Sequence, residues 1–293
     1  MRTIGALEAG GTKMVLAVYT EAGEELERLT LPTESPEITL PQMADFFRER
    51  GVDALGVGSF GPLDLNPASP TYGYITTTPK LAWRNVPLLD ALKGGRDIPA
   101  AIDTDVNAAV LAEAQLGAAR GCDCAVYVTI GTGVGGGVYV NGRTLHGLLH
   151  PELGHMLLCP HPDDPKPQGV CPYHTGCLEG LASGPALGAR VGGDAKALPD
   201  DDPAFRVEAH YLAQMCVNLI VTLSPQRIVL GGGVMQRAAL LPMVRSETQR
   251  LLGGYVDSPM VRERIGEYIV APELFPVSGL VGSYLIGKKA LEG

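Results

Sequence analysis

The sequence predicts an α/β fold: two similar domains with mixed sheets flanked by helices and a cleft between them. Three observations predict it. Strand-like runs alternate with helical ones along the chain, as mixed α/β architectures require. A unit of strand, Gly-rich turn, strand and turn in TIGALEAGGTKMVLAVYTEAGEEL returns in CAVYVTIGTGVGGGVYVNGRTL, as duplication of one supersecondary unit would produce. The 293 residues suffice for about two domains with a sizeable core.

Each element follows in order. The opening hairpin leads into a further strand after EAGEEL. LPQMADFFRERG has helical spacing, with Met43, Phe46 and Phe47 on one side. ALGVGSFGPLD reads as a buried strand entering a Gly-Pro loop. IPAAIDTDVNAAVLAEAQLGAARG reads as a strand and an Ala-rich helix ending at Gly121. After the second hairpin comes a Pro-, His- and Cys-rich insert at about 150–184, with PHPDDPKPQG as a loop. FRVEAHYLAQMCVNLIVTLSP reads as a long helix, RIVLGGGVMQRAALLPMV as strand, glycines and helix, and SGLVGSYLIGKKALEG as a last helix. The expected domains are 1–113 with the C-terminal helix at about 279–293, and 114–278 carrying the insert.

Composition excludes several function classes. Net charge is −9, and no Lys/Arg run offers the clustered cations that nucleic acid needs. No apolar run reaches the length of a membrane span, and MRTIGALEAGG enters a strand without a signal-peptide pattern. A cytoplasmic protein is expected, with its six cysteines as thiols or metal ligands.

Three glycine turns could hold phosphate. EAGGTK, residues 8–13, crowds backbone N–H groups and adds the Thr12 hydroxyl and the Lys13 charge; a hairpin turn with positive φ explains it equally well. IGTGVGGG opens a strand rather than a helix, which argues against a dinucleotide site. LGGGVMQ ends a buried strand and starts a helix, a setting for phosphate or nucleoside. Three such turns, two on duplicated units, favour nucleotide binding over mere turns.

DTDVNAAV, residues 103–110, sets carboxylates at a strand end and helix start. Asp, Thr and Asn all cap helices well, but only one need do so. A spare carboxylate there could accept a hydroxyl proton during phosphoryl transfer.

QGVCPYHTGCLEG places Cys171, His174 and Cys177 at three-residue steps. A closed structural zinc site takes four N or S ligands. His150, His155, Cys159 and His161 are candidates for the fourth. Cys122, Cys124 and Cys216 read as ordinary thiols.

Taken in order, EAGGTK, GSFGPLD, TPKLAW, DTDVNAA, TIGTGVGGG, HPELGH, CPYHTGCLEG, SGPA and IVLGGGVMQ resemble the ROK family of sugar kinases, most closely its fructokinase branch, over essentially the whole chain. The resemblance implies two actin/ribonuclease-H-like domains. It implies ATP bound with Mg2+, Gly10, Gly11, Thr12 and Lys13 as the first phosphate loop and Thr132 and Gly133 as the second. Gly231, Gly232, Gly233, Val234 and Met235 would form the adenosine-side loop, with Gly184 and Pro185 nearby. Asp105 would be the general base, and Gly61, Asp105, Glu152, His155 and Glu179 would meet the sugar. His155 would complete a structural Zn2+ site with Cys171, His174 and Cys177. A homodimer is implied too.

Three departures stand out from the broad family pattern: Glu8 where Asp is usual, Thr104 where glucose-specific members carry Asn, and a Cys-His-Cys set in place of C-x-C-G-x-x-G-C. All point to the fructokinase branch. The expected activity is ATP-dependent phosphorylation of fructose to fructose 6-phosphate. Mannose, glucose or N-acetylmannosamine are alternative sugars. A sugar-sensing regulator ranks lower, because the chain opens on its first strand without a helix-turn-helix domain.

Overall fold

The computed structural model describes residues 2–293. The described residues divide into two compact units: 2–112, 144–151 and 276–293 in one, 113–143 and 152–275 in the other.

The first unit holds β1 (Thr3–Ala9), β2 (Lys13–Thr20), β3 (Glu25–Pro32), α1 (Pro36–Glu49), β4 (Ala54–Ser59), α2 (Leu88–Lys93), β5 (Ala100–Thr104) and most of α3 (Asp105–Leu116). Its sheet runs β3-β2-β1-β4-β5. β1 pairs antiparallel with β2 and parallel with β4, which pairs parallel with β5. Strand side chains alternate between faces. Leu7, Ala9, Met14, Leu16 and Val18 therefore share a core with Met43, Phe46 and Phe47 of α1. Ile4, Ala6, Val15, Ala17 and Tyr19 pack instead with Leu280 and Tyr284 of the C-terminal helix, Ser278–Glu292. Helices thus cover both faces.

The second unit holds β6 (Cys124–Ile130), β7 (Val134–Val140), the start of β8 (Arg143–Thr144), α4 (Leu178–Ala182), α5 (Gly184–Val191), α6 (Ala204–Leu223), β9 (Arg227–Gly231), α7 (Leu240–Leu252), α8 (Pro259–Arg262), α9 (Ile265–Tyr268) and β10 (Ile269–Val270), with Thr144 assigned to the first unit. Read from its other edge, the sheet order β8-β7-β6-β9-β10 repeats that of the first unit. β6–β7 is the antiparallel hairpin, and β9 lies parallel to β6. The two predicted hairpin units therefore occupy the same place in two sheets of matching order. α6 buries Tyr211, Leu212, Met215 and Leu219 against β6 and β9.

Two local readings change. The helix expected to reach Gly121 ends at Leu116. The buried Glu113 carboxylate accepts N–H bonds from Ala118 (2.8 Å), Glu273 (3.1 Å) and Leu274 (3.0 Å), which draws the chain out of the helix. The glycines at 231–233 lead only into a 3-10 turn, Val234–Gln236, and α7 begins at Leu240. PHPDDPKPQG is a loop as expected, yet its Asp164 is buried. Asp164 accepts from Tyr211 Oη (2.8 Å) and Arg190 Nε (3.3 Å), while Arg190 Nη1 also reaches Glu208 (2.9 Å).

Candidate active site

In the first unit, parallel pairing aligns three strand ends. Ala9 lies beside Ser59, and Ser59 beside Thr104. The Gly10–Thr12 turn, the Phe60–Gly61 loop and Asp105 therefore leave the same carboxyl edge, where open α/β sheets place ligands. Gly10 donates to the Lys13 carbonyl at 2.9 Å, closing the turn. Thr33 braces it from the end of β3: its N–H donates to Thr12 O (3.1 Å) and its hydroxyl to Gly10 O (2.8 Å). Among the described residues, the N–H groups of Gly11 and Thr12 have no acceptor.

The DTDVN segment sorts its polar groups by partner. Thr104 is the cap, because its hydroxyl accepts the N–H of Asn107 at 3.1 Å. Asp103 is committed elsewhere. Its buried carboxylate accepts from Thr104 N (2.8 Å), Asn107 Nδ2 (2.7 Å) and Thr144 Oγ1 (2.8 Å) and pairs with His146 Nε2 (3.0 Å). That bond pushes His146 above its ordinary pKa. Among the described residues, no side chain donates to Asp105, whose carboxylate accepts the neighbouring Val106 N–H at 2.9 Å. Burial, which this bond only partly offsets, pushes its carboxyl up to about 6. Asp105 is thus the uncommitted carboxylate of the pair, and its pKa lies close to neutral pH, as general bases require.

Glu8 stands on β1. Burial first and the charge of Asp105 second push its carboxyl up to about 7, with Lys13 opposing. The longer side chain fits because Gly279 leaves room: a Cβ there would lie 2.7 Å from the Glu8 carboxyl carbon. Gly61 lies against His150, whose ring would stand 3.3 Å from a Cβ at position 61. His150 Nε2 accepts the N–H of Leu63 at 3.0 Å, and burial holds this histidine below its ordinary pKa.

In the second unit the nucleotide candidates converge. Gly131 donates to Gly133 O (2.8 Å), and Gly184 donates to Gly131 O (2.7 Å). A Cβ on Gly184 would also stand 3.8 Å from Val234. Thr132–Gly133, Gly184–Pro185 and Gly231–Met235 therefore sit side by side. Ser183 caps α5 by accepting the N–H of Ala186, and Pro185 occupies its first turn. Glu179 adjoins the same turn: its carboxylate accepts Val134 N–H at 3.0 Å, and a Cβ on Gly133 would come within 2.6 Å of it.

The metal candidates also meet. The ligand atoms of His155, Cys171, His174 and Cys177 all lie within 4.8 Å of one another. Sulfur–nitrogen separations are 3.7 Å for Cys171–His174, 3.8 Å for Cys177–His155 and 3.9 Å for Cys171–His155. In a tetrahedron with bonds of about 2.3 Å to sulfur and about 2.0 Å to nitrogen, that separation is about 3.5 Å. The four side chains thus fit one metal ion. Of the candidates for the fourth ligand, the fold brings His155 to the other three side chains.

The surrounding backbone carries the cluster toward two acidic residues. Leu158 donates to Gly176 O and Leu178 to Met156 O, both at 2.9 Å, pairing the two ligand-bearing segments. Cys177 Sγ accepts the N–H of Gly180, so it caps α4, which bears Glu179. Glu152 lies three residues before His155, whose N–H donates to the Glu152 carbonyl at 3.0 Å.

The sequence offers Asp103 as a candidate carboxylate but gives no sign of its partners Thr144 and His146. A His-Asp pair formed across about forty residues leaves no local spacing signal. The Asp164–Arg190–Glu208 cluster was missed for the same reason.

Two sheets of one order, each with a glycine turn between its hairpin strands, define the class: an α/β chain of the actin and hexokinase type. The sequence model of the ROK family matches residues 4–290, and the chain belongs to the ROK family. It is 44% identical over 289 residues to a fructokinase of Pediococcus pentosaceus, covering 99% of each chain. To the fructokinase of Zymomonas mobilis it is 42% identical over 297 residues, covering 98% of this chain and 96% of the relative. The crystal structure of a ROK hexokinase from Thermus thermophilus superposes with a TM-score of 0.77 and 28% identity, covering 99% of each chain. Among the described residues, no helix is long and apolar enough to cross a membrane.

Proposed function

We propose that this chain is an ATP-dependent fructokinase that converts D-fructose to fructose 6-phosphate. The observation that carries the reading is full-length identity of 42–44% to proteins named fructokinase. The uncommitted Asp105 carboxylate at a sheet's carboxyl edge supports it.

In this reading Asp105 accepts the proton of the fructose 6-hydroxyl as that oxygen attacks the γ-phosphorus of ATP in line. The bond from the γ-phosphorus to the β,γ-bridging oxygen breaks, and ADP leaves with the electron pair. Gly10–Lys13 and Thr132–Gly133 cradle phosphate oxygens, while Gly184, Pro185 and Gly231–Met235 hold the nucleoside side. Gly61, Glu152, His155 and Glu179 meet the sugar hydroxyls. Mg2+ bound with ATP would neutralise charge on its phosphates. His155, Cys171, His174 and Cys177 would hold a structural zinc, for which phosphoryl transfer has no chemical task. Its effect would be positional, holding the segments of Glu152 and Glu179 in place.

The test is ADP release by purified protein with ATP and Mg2+ across fructose, glucose, mannose and N-acetylmannosamine. Fructose-selective release is expected. Selective turnover of another sugar would keep the kinase and overturn the fructose assignment. No turnover with any of them would overturn the enzyme.

A further inference from the structure

The TPKLAW segment, residues 78–83, carries a lysine that the site described so far does not use. The Lys80 side chain crosses the first glycine turn. A Cβ built on Gly11 would stand 3.1 Å from Lys80 Cε and 3.8 Å from Nζ. The bare glycine is what lets the lysine lie there.

The Lys80 backbone is held firmly on both sides. Its N–H donates to the hydroxyl of Thr78 at 3.3 Å, and Thr78 is buried. Arg84 Nε donates to the Thr78 carbonyl at 2.8 Å. The Lys80 carbonyl accepts the N–H of Trp83 at 2.8 Å. Trp83 is buried edge-on to Phe60, and its indole donates to Glu34 O at 2.9 Å. Glu34 follows Thr33, the residue that braces Gly10 and Thr12. One chain of contacts thus ties the lysine's segment to the glycine turn.

The head of the side chain has no such tie. Among the described residues, the Lys80 ammonium has no carboxylate or hydrogen-bond partner. A half-buried cation fixed at its base, unpaired at its tip and crossing a glycine turn with two unbonded backbone N–H groups is arranged for an anion.

We propose that Lys80 is a further catalytic residue, whose ammonium contacts the phosphoryl group passing from ATP to the sugar. The proposal rests on the fructokinase reading and deepens it. As the sugar oxygen–phosphorus bond forms and the bond to the bridging oxygen breaks, the hydroxyl proton goes to Asp105. Lys80 keeps its own proton throughout and neutralises charge on the equatorial oxygens. Gly11 and Thr12 offer their N–H groups to the same anion.

The test compares wild type with Lys80→Met and Lys80→Arg in turnover and in equilibrium binding of ADP and of a non-hydrolysable ATP analogue. Trp83 is the single tryptophan of the chain, so its emission reports the fold of this segment. Lys80→Met is expected to lower kcat about 100-fold, the scale of losing one donor to a developing oxyanion. It should weaken the ATP analogue and leave ADP binding within about twofold, because ADP lacks the group contacted. A Met variant that keeps kcat within about threefold of wild type would overturn the proposal, as would equal weakening of ADP and the ATP analogue. Should the Met variant alter Trp83 emission, Lys80→Arg decides: recovered turnover supports a charge role, and unrecovered turnover with native emission overturns it. If wild type turned over no sugar, the fructokinase reading would fall, while the ATP-against-ADP difference would still judge Lys80.

Discussion

Replacing Asp105 by Asn should make the protein more stable while it destroys turnover. The Asp105 carboxyl is raised from 3.8 to about 6, mainly by burial. A carboxyl group that holds its proton more tightly in the folded state weakens that state once it ionises. The cost is absent below about pH 4, grows as pH rises toward 6, and is complete above it. The full shift corresponds to about 3 kcal/mol, and partial solvent access reduces this to about 1–3 kcal/mol. Asn carries no charge and can still accept the Val106 N–H that Asp105 accepts at 2.9 Å. It also removes the charge that helps push Glu8 up to about 7, which adds to the gain near neutral pH. Urea unfolding of both ligand-free proteins from pH 4 to 8 measures the effect. The Asn variant should lead at pH 8, with the gap closing by about pH 4. Turnover should fall by about 100- to 10,000-fold, and wild-type turnover should drop about tenfold per pH unit below 6. An Asn variant no more stable at pH 8, or a gap that ignores pH, would refute the reading of Asp105 as a desolvated, uncommitted base. So would near-normal turnover of that variant.

Three further outcomes follow from local geometry. Metal analysis should find about one zinc per chain; Cys171→Ser or prolonged chelation should remove it, lower the melting temperature and raise KM for fructose more than KM for ATP. Glu113→Ala should cost about 3 kcal/mol or more in urea unfolding, because it strands the N–H groups of Ala118, Glu273 and Leu274; a loss under about 1 kcal/mol would show that water replaces the carboxylate. Gly154→Ala should destabilise the second unit strongly and impair metal uptake, since a Cβ there would lie 1.8 Å from the Val134 carbonyl oxygen. A well-folded, metal-loaded Ala variant would contradict that contact.

Much of the fold was legible because its signals are local. Apolar runs punctuated by glycine placed β1 and β2, and helical spacing put Met43, Phe46 and Phe47 on the buried face of α1. The repeated hairpin pointed to a duplicated unit, and the structure gives both sheets the same strand order. Spacing likewise offered three of the four metal candidates.

The sequence by itself determined which elements form and which side chains are available at the site. Only the tertiary structure decided how those side chains are spent. Asp103 and Asp105 are two residues apart and chemically alike. One is saturated by Asn107, Thr144 and His146, and the other, among the described residues, is left with backbone donors alone. Of the four candidates for a fourth ligand, His155 is the one that pairing of 156–158 with 176–178 carries to the cysteines. Helix and strand periodicity is written in near neighbours. Partner choice, burial and the resulting pKa depend on atoms brought together from distant parts of the chain, and a linear pattern does not encode them.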